Sequence, residues 1–340
     1  MEKTLSIIVP TYNMEKYLRK CLDSLIVSDE NMQRLEVLVI NDGSKDSSSQ
    51  IAHEYEAKYP QTFRVIDKEN GNYGSCINRG LKEATGKYVK VLDADDYFDR
   101  AVFDDFLNHL KRTEADLILN AGYRVDENGK ELSMWSYSFP HDEIIQYRFV
   151  RNCKMHSVTY KTDNLREINY YQTEGVSYTD QEWVYWPMTT VKTICYFNLF
   201  LYNYLIGRPG QTMDKDIYLK SLKHELVVQK RMIELWETGH KALKEHRSYI
   251  EFRLNNRMSI LFSIYMTKRG RVCLQDLYDF DVAVRKEFPI YYQYSSNTFL
   301  LGDKIRFHYL RYWRKNHTIF PYNILCFIKL WYTNHIANKQ

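Results

Sequence analysis

Three carboxylates fall within four positions of KVLDADDYFD, residues 90–99: Asp93, Asp95 and Asp96. Like charges this close make each other harder to ionise. A short apolar run leads into them, so they close a strand, and a cation there would pair with them. Mg²⁺ and Mn²⁺ take oxygen ligands and are typically held by one or two carboxylates plus substrate phosphates. On extended backbone the two side chains of D-x-D point the same way. A solvated acidic turn capping the next helix gives the same pattern, so these residues alone leave both readings open.

Three further groups could do chemistry. Asp42, in NDGSKDSS, ends an apolar run beside a glycine; its carboxylate can accept the N3–H of a pyrimidine, or close an Asx-turn. Asp180 and Glu182 lie among aromatics in SYTDQEWVYW, where desolvation would raise a carboxyl pKa and make a usable general base. They also suit the first turn of a helix capped by Thr179. Arg208, in LIGRPGQTM, sits in a glycine-containing loop that can wrap a phosphate oxygen or simply turn the chain between domains. No G-x-G-x-x-G follows a strand, no GxxxxGK[ST] exists and no GxSxG appears, which leaves dinucleotide cofactors, P-loop chemistry and serine-hydrolase chemistry without support.

The elements that would position these residues alternate strand and helix. Apolar runs at 5–10, 35–42, 63–68, 87–96 and 115–122 read as strands. Helical spacing covers Tyr17, Leu18, Cys21, Leu22 and Leu25 behind Asn13 as a cap, then 46–59, 74–86 and about 100–112. This alternation implies an α/β fold with a mainly parallel sheet flanked by helices. Ligands bind such sheets beyond the carboxyl ends of the strands, where Thr11, Tyr12, Asn13, Asp42 and the Asp93 cluster all fall. From about 213 the texture becomes helical, aromatic and basic, with long helices expected at 216–237 and 246–268. We therefore expect a catalytic domain over 1–212 and a helical C-terminal domain over 213–340.

The 340 residues are 44% hydrophobic and 26% charged, enough for one large domain or two. A formal charge of +4 gives the whole-protein field little say in choosing partners. The six cysteines are scattered and form no CxxC pair, so zinc and redox motifs are not indicated. The N-terminus reads as a strand and not as a signal peptide, so reduced thiols in a cytoplasmic protein are expected. No stretch reaches the roughly 18 apolar residues needed to span a bilayer.

The segments IVPTYN, VLVINDGSKDSS, GSCINRGLKEATGKYVKVLDADD and YTDQEW, in this order over residues 5–186 and followed by GRPGQT, resemble family 2 glycosyltransferases of the GT-A fold. The resemblance implies a nucleotide-diphospho-sugar donor, with UDP the expected nucleotide, a divalent Mn²⁺ or Mg²⁺, and transfer with inversion at the anomeric carbon. Pro10, Thr11, Tyr12 and Asn13 would line base and ribose, and Asp42 would read the base. Asp93 would face the ribose, Asp95 would hold the metal, Arg208 would contact the diphosphate, and Asp180 would deprotonate the acceptor hydroxyl. Asn78 matches an asparagine of the family pattern on the donor side. Thr179 stands where the family often has Glu, which leaves Glu182 as a second candidate base. Ile77 stands where many members have Arg. The QxxRW of processive members is missing, which implies addition of one or a few sugars.

The acceptor implied is a saccharide or lipid-linked saccharide in surface-polysaccharide synthesis. Residues 303–340 mix Lys304, Arg306, Arg311, Arg314, Lys315, Lys329 and Lys339 with Phe307, Tyr309, Tyr312, Trp313, Phe320, Phe327, Trp331 and Tyr332. That mixture suits an anionic membrane surface, so peripheral contact with the inner face of the cell membrane is expected. The same tail would equally serve as a helical cap on the catalytic domain or as a homodimer contact. No nucleic-acid recognition motif is present. A nucleotidyltransferase and a catalytically inactive sugar-nucleotide-binding scaffold are the rival readings; the first should carry a Gly-rich basic loop after strand one, which PTYNMEK does not supply.

Overall fold

LSIIVPT forms strand β1 (Leu5–Thr11), buried at all seven positions. A strand apolar on both faces needs cover on both faces, which is the signature of a parallel sheet between helices. In a computed structural model, which describes residues 2–151, 153–208, 215–265, 274–296, 309–317 and 324, the chain continues through α1 (Leu18–Asp23), α2 (Asp29–Arg34), β2 (Leu35–Asn41), α3 (Ser48–Lys58), β3 (Phe63–Asp67), α4 (Asn72–Glu83), β4 (Tyr88–Val91), β5 (Tyr97–Phe98), α5 (Arg100–Leu110) and β6 (Leu117–Val125). Next come β7 (Glu131–Trp135), β8 (Ile144–Gln146), β9 (Val158–Lys161), α6 (Thr162–Glu167), α7 (Asp180–Trp183) and β10 (Thr193–Leu205).

The strands make one sheet in the order β3-β2-β1-β4-β9-β6-β10-β5, with β7 on β6 and β8 on β10. The first four are mutually parallel. β9 runs antiparallel between β4 and β6, and β10 pairs with β6 in parallel. The chain winds outward from β1 to β3 and then returns to β4 on the other side of β1. That reversal opens a crevice at the carboxyl ends of β1 and β4, the place where such sheets bind ligands.

Three local expectations change. β4 ends at Val91, so the Asp93 cluster lies on the turn beyond the strand and not within it. Asn13 does not cap α1, which begins at Leu18 with Tyr17 in the cap position. Asn13 instead takes a left-handed φ of 54°. Its N–H donates to Ser44 Oγ (3.0 Å) and its Oδ1 accepts from Lys45 N (2.8 Å), which ties the loop after β1 to the loop after β2. β10, thirteen residues long, was not anticipated; its pairing with β6 shifts register twice between Phe197 and Tyr202. Such irregularities bend a strand and re-aim its side chains.

The chain divides into two compact units, Met1–Asp214 and Lys215–Gln340. The second contains α8 (Lys215–Lys220), α9 (Leu222–Gly239), α10 (Arg247–Tyr265), α11 (Leu274–Glu287), α12 (Pro289–Ser295) and α13 (Tyr309–Asn316). Its core includes Met232, Trp236, Leu254, Phe262, Leu277 and Trp313. Of the basic and aromatic tail, Trp313 is only 1% exposed. Arg314 is ion-paired with Asp281 at 2.9 Å. Those two residues therefore serve the packing of this unit. Lys304, Arg306, Phe307, Phe320, Phe327, Lys329, Trp331, Tyr332 and Lys339 lie outside the described residues, as do the Pro209–Thr212 part of GRPGQT and the expected boundary near 213. Among the described residues no helix is long and apolar enough to cross a membrane.

Candidate functional site

Parallel strands deliver side chains to one rim. β1 brings Pro10, Thr11 and Tyr12, β2 brings Asp42, the turn after β4 brings Asp93, and the first turn of α7 brings Asp180. All six line one cleft of about 320 Å³. Asn13, Asn78, Asp95 and Arg208 do not line it.

Asp42 is buried, and its Oδ1 is heavily subscribed. It accepts from Lys68 Nζ (2.5 Å), Gly71 N (3.0 Å) and Ser75 Oγ (3.5 Å). The Cys76 thiol, which lines the same cleft, also hydrogen-bonds to this carboxylate. A carboxylate held in place this way in a cleft can accept a further N–H. Lys68, at the end of β3, escaped the sequence reading, although FRVIDK does end on a cation.

The three clustered aspartates have separate fates. Asp93 Oδ1 accepts from Tyr73 Oη at 2.8 Å, and its Oδ2 lies 3.9 Å from His156 Nε2. Burial, and next the charge of Asp95, push its pKa up to about 7. Asp96 is 1% exposed and spends both oxygens on β10, accepting from Tyr202 Oη and Leu205 N, each at 2.7 Å. Burial, then Asp95 and Asp93, drive it well above the usual carboxylate range. It anchors the carboxyl end of β10 to the turn. Asp95, the expected metal ligand, is ion-paired with Arg208 at 2.5 Å, and that guanidinium also lies 5.4 Å from the ring centre of Tyr17.

His156 also faces this cluster and was missed. It sits on a helical turn, Met155–Ser157, that no periodicity marks. Its ring stacks on Tyr204 at 4.4 Å, and burial together with Lys154, Lys90 and Arg124 lowers its pKa to about 3, so it is neutral. Ligand atoms of Asp93, Asp96 and His156 all lie within 4.8 Å of one another. Below them Lys90, fully buried, donates to Asn120 Oδ1 (2.9 Å), His156 O (2.9 Å) and Val158 O (3.3 Å). Burial lowers its pKa to about 7.

Of the two candidate bases, the fold separates one from the other. Asp180 opens α7 in the cleft wall, with Oδ2 accepting from Gln181 Nε2 at 2.8 Å. Glu182 is 2% exposed, and both its oxygens accept from Thr173, from the backbone N at 2.8 Å and the hydroxyl at 2.7 Å. Thr179 holds the cap position of α7, but its hydroxyl accepts from Gln172 Nε2 instead of capping. Tyr178, just before, has φ 66°, a strained backbone for a bulky residue and of the kind that collects at functional sites. Asn78 is committed elsewhere: its amide donates to Gln172 O and Glu174 Oε1 and its oxygen accepts from Gln172 N, all at 2.8 Å. It holds α4 to the 172–174 loop.

Residues 6–166 match the description Glycosyl transferase family 2. That segment, a little under half of the chain, is a glycosyl transferase family 2 domain. Its relatives include the glycosyltransferase MG025 of Mycoplasma genitalium, 39% identical over 126 residues that make up 36% of this chain and 41% of the relative. They also include the poly(ribitol-phosphate) beta-N-acetylglucosaminyltransferase TarS of Staphylococcus aureus, 28% identical over 61% of this chain and 36% of TarS. The minor teichoic acid biosynthesis protein GgaB of Bacillus subtilis is 36% identical over 33% of this chain and 13% of its own length. The chain thus aligns with about two fifths or less of these relatives. Among solved structures, S. aureus TarS 1–349 in complex with UDP-GlcNAc superposes with a TM-score of 0.61 over 83% of this chain and 81% of that one, at 22% identity. The shared fold is GT-A.

Proposed function

We infer that this chain is an inverting glycosyltransferase that moves a sugar from a UDP-sugar to a hydroxyl of a saccharide or lipid-linked saccharide. The observation that carries this is the meeting of Asp42, Asp93 and Asp180 in one cleft. One end suits the base, the middle the ribose and diphosphate, and the far wall the attacking hydroxyl.

Asp42 accepts the imide N–H of uracil, while Lys68 fixes the carboxylate. Cytosine presents a lone pair at that position and is rejected. Arg208 leaves Asp95 to donate to the diphosphate. Asp180 takes the acceptor's proton as the oxygen attacks the anomeric carbon from the face opposite the diphosphate. The new C–O bond forms as the old one breaks, and its electron pair departs on the diphosphate. Holding donor and acceptor in line supplies much of the remaining acceleration. The carboxylates and imidazole at the cleft floor fit a divalent cation, which when bound with the donor supplies neutralisation of the leaving diphosphate.

The wall-polymer names of TarS and GgaB support an acceptor in surface-polysaccharide synthesis. Cys21, Cys76 and Cys195 are free thiols and buried, which supports action on the reducing, cytoplasmic side. A thermal-shift screen of nucleotide sugars with Mn²⁺, followed by transfer assays on wall-polymer fragments, tests the reading. UDP-sugars should stabilise the chain and at least one acceptor should be glycosylated. Binding without transfer to any acceptor would favour an inactive scaffold, and no binding would end the proposal.

A further inference from the structure

We propose that His156 is a nitrogen ligand to the cation, with Asp93 as its carboxylate partner, and that the site therefore selects a transition dication such as Mn²⁺ over Mg²⁺. This rests on the reading that a divalent cation accompanies the donor, and it goes further by naming a ligand outside the D-x-D.

The geometry carries it. His156 Nε2 and Asp93 Oδ2 stand 3.9 Å apart, too far for a hydrogen bond. Two metal–ligand bonds of about 2.1 Å can bridge that gap at a wide angle, and a small inward shift of either side chain brings them to an ordinary one. Among the described residues the imidazole has no hydrogen-bond partner, so neither nitrogen is spoken for. The ring is nonetheless fixed. It stacks on Tyr204 at 4.4 Å with planes 26° apart and packs 4.8 Å from Tyr202. Its backbone is pinned from below, where Lys90 donates to the His156 carbonyl. A side chain that is held rigidly, lines the cleft and lacks a partner is arranged for something that binds there.

The alternatives at the same floor are engaged. Asp96 already accepts one bond at each oxygen, and Asp95 stays paired with Arg208 until the donor draws Arg208 away. Before the donor arrives, Asp93 Oδ2 and His156 are the open pair. Mg²⁺ dehydrates reluctantly and favours oxygen ligands, whereas imidazole suits transition dications. The nitrogen therefore tips the choice of ion.

Pulsed EPR on the full chain with Mn²⁺ and UDP reads this directly, comparing unlabelled protein with protein carrying ¹⁵N-histidine. We expect a histidine nitrogen coupling that changes with the label and vanishes in H156Q. Mn²⁺ affinity in H156Q should fall about tenfold or more, and Mg²⁺ should displace Mn²⁺ from the wild type only in large excess. Mn²⁺ that binds with UDP but shows no label-dependent coupling overturns the assignment and leaves the cation reading standing. Failure to bind Mn²⁺ at all, with or without UDP, overturns both. The wild-type spectrum decides the matter even if H156Q folds poorly.

Discussion

Asp95 and Arg208 neutralise each other, Nε to Oδ2 at 2.5 Å, with both side chains nearly buried. The residue expected to hold a metal and the residue expected to hold a diphosphate are thus partners before either ligand arrives. Each ligand's arrival must release the other member of the pair. Arg208→Gln separates the two roles by sign. It leaves the acidic floor one charge more negative, so Mn²⁺ should bind more tightly without nucleotide. It also removes a charged donor, so UDP should bind about 10–100-fold more weakly, as expected for a charged hydrogen bond worth about 1.5–3 kcal/mol. Calorimetric titration of each ligand alone checks both. Equal changes in the same direction would refute the exchange.

Asp180→Asn keeps the shape of the cleft wall and removes the proton acceptor. Loss of a general base costs roughly 10²–10⁴ in rate. Turnover should fall by that much while UDP-sugar affinity stays within about twofold of wild type. Glu182→Gln should behave differently. Its carboxylate holds Thr173, so the change should lower thermal stability and reduce turnover only in proportion to lost folded protein. Steady-state kinetics beside melting curves distinguish the two positions.

Asp42→Asn tests how the base is read. The amide would replace a pure acceptor with a group that can also donate, and it would weaken the contact with Lys68. UDP affinity should drop by about 1–3 kcal/mol, the cost of leaving a polar partner unmatched. Discrimination against CDP should shrink at the same time. If UDP and CDP affinities fall together with their ratio intact, Asp42 supports the loop and does not read the base.

How much of this was legible in the sequence differs by element. The parallel half declared itself, because β1 to β4 are apolar runs punctuated by Asp42 and Asp93 at their carboxyl ends, and periodicity reports that directly. β10 was hidden, because its aromatics alternate irregularly and its register shifts leave no clean period. The family resemblance put Asp180 ahead of Glu182 as the base; what holds Glu182, Thr173 across the loop, shows only in the fold. His156 carries no local signal and Lys68 only a cation at a strand end; both matter through residues distant in sequence, Asp93 and Asp42. Asn13 and Asn78 show the converse. Their types suit a ligand, and the fold spends them on tying loops together. In the tail, the basic and aromatic mixture looks alike whether solvated or packed, and Arg314 with Trp313 proved to be packed.

Arg314 gives a stability test confined to the helical unit. Its guanidinium, 5% exposed, pairs with Asp281 and also donates to Tyr292 O, Ser295 Oγ and Ser296 Oγ. Burial pushes the Asp281 pKa up, and Arg314 opposes that. Arg314→Met would leave a buried carboxylate without its partner, a loss of about 3–5 kcal/mol. Arg314→Met combined with Asp281→Leu should recover part of it, because an apolar pair of similar volume is often neutral. Urea unfolding of the three proteins measures the recovery, and a double variant no better than the single one would count against it.

Lys90 predicts a pH dependence whose sign can be worked out in advance. Its pKa is lowered from the usual 10.5 to about 7 by burial. Between these values the unfolded chain binds a proton that the folded chain does not, so stability should rise with pH across this window. Below about 7 both states carry the proton and this contribution is flat, at its least favourable. Lys90→Met deletes the term and should flatten the slope between pH 7 and about 9, whatever it does to absolute stability through the lost bonds to Asn120 and the His156 and Val158 carbonyls. Urea unfolding of wild type and variant at several pH values compares the slopes. Parallel slopes would mean that the buried amine keeps its proton throughout, held by the three oxygens around it, and that burial is not what governs its charge.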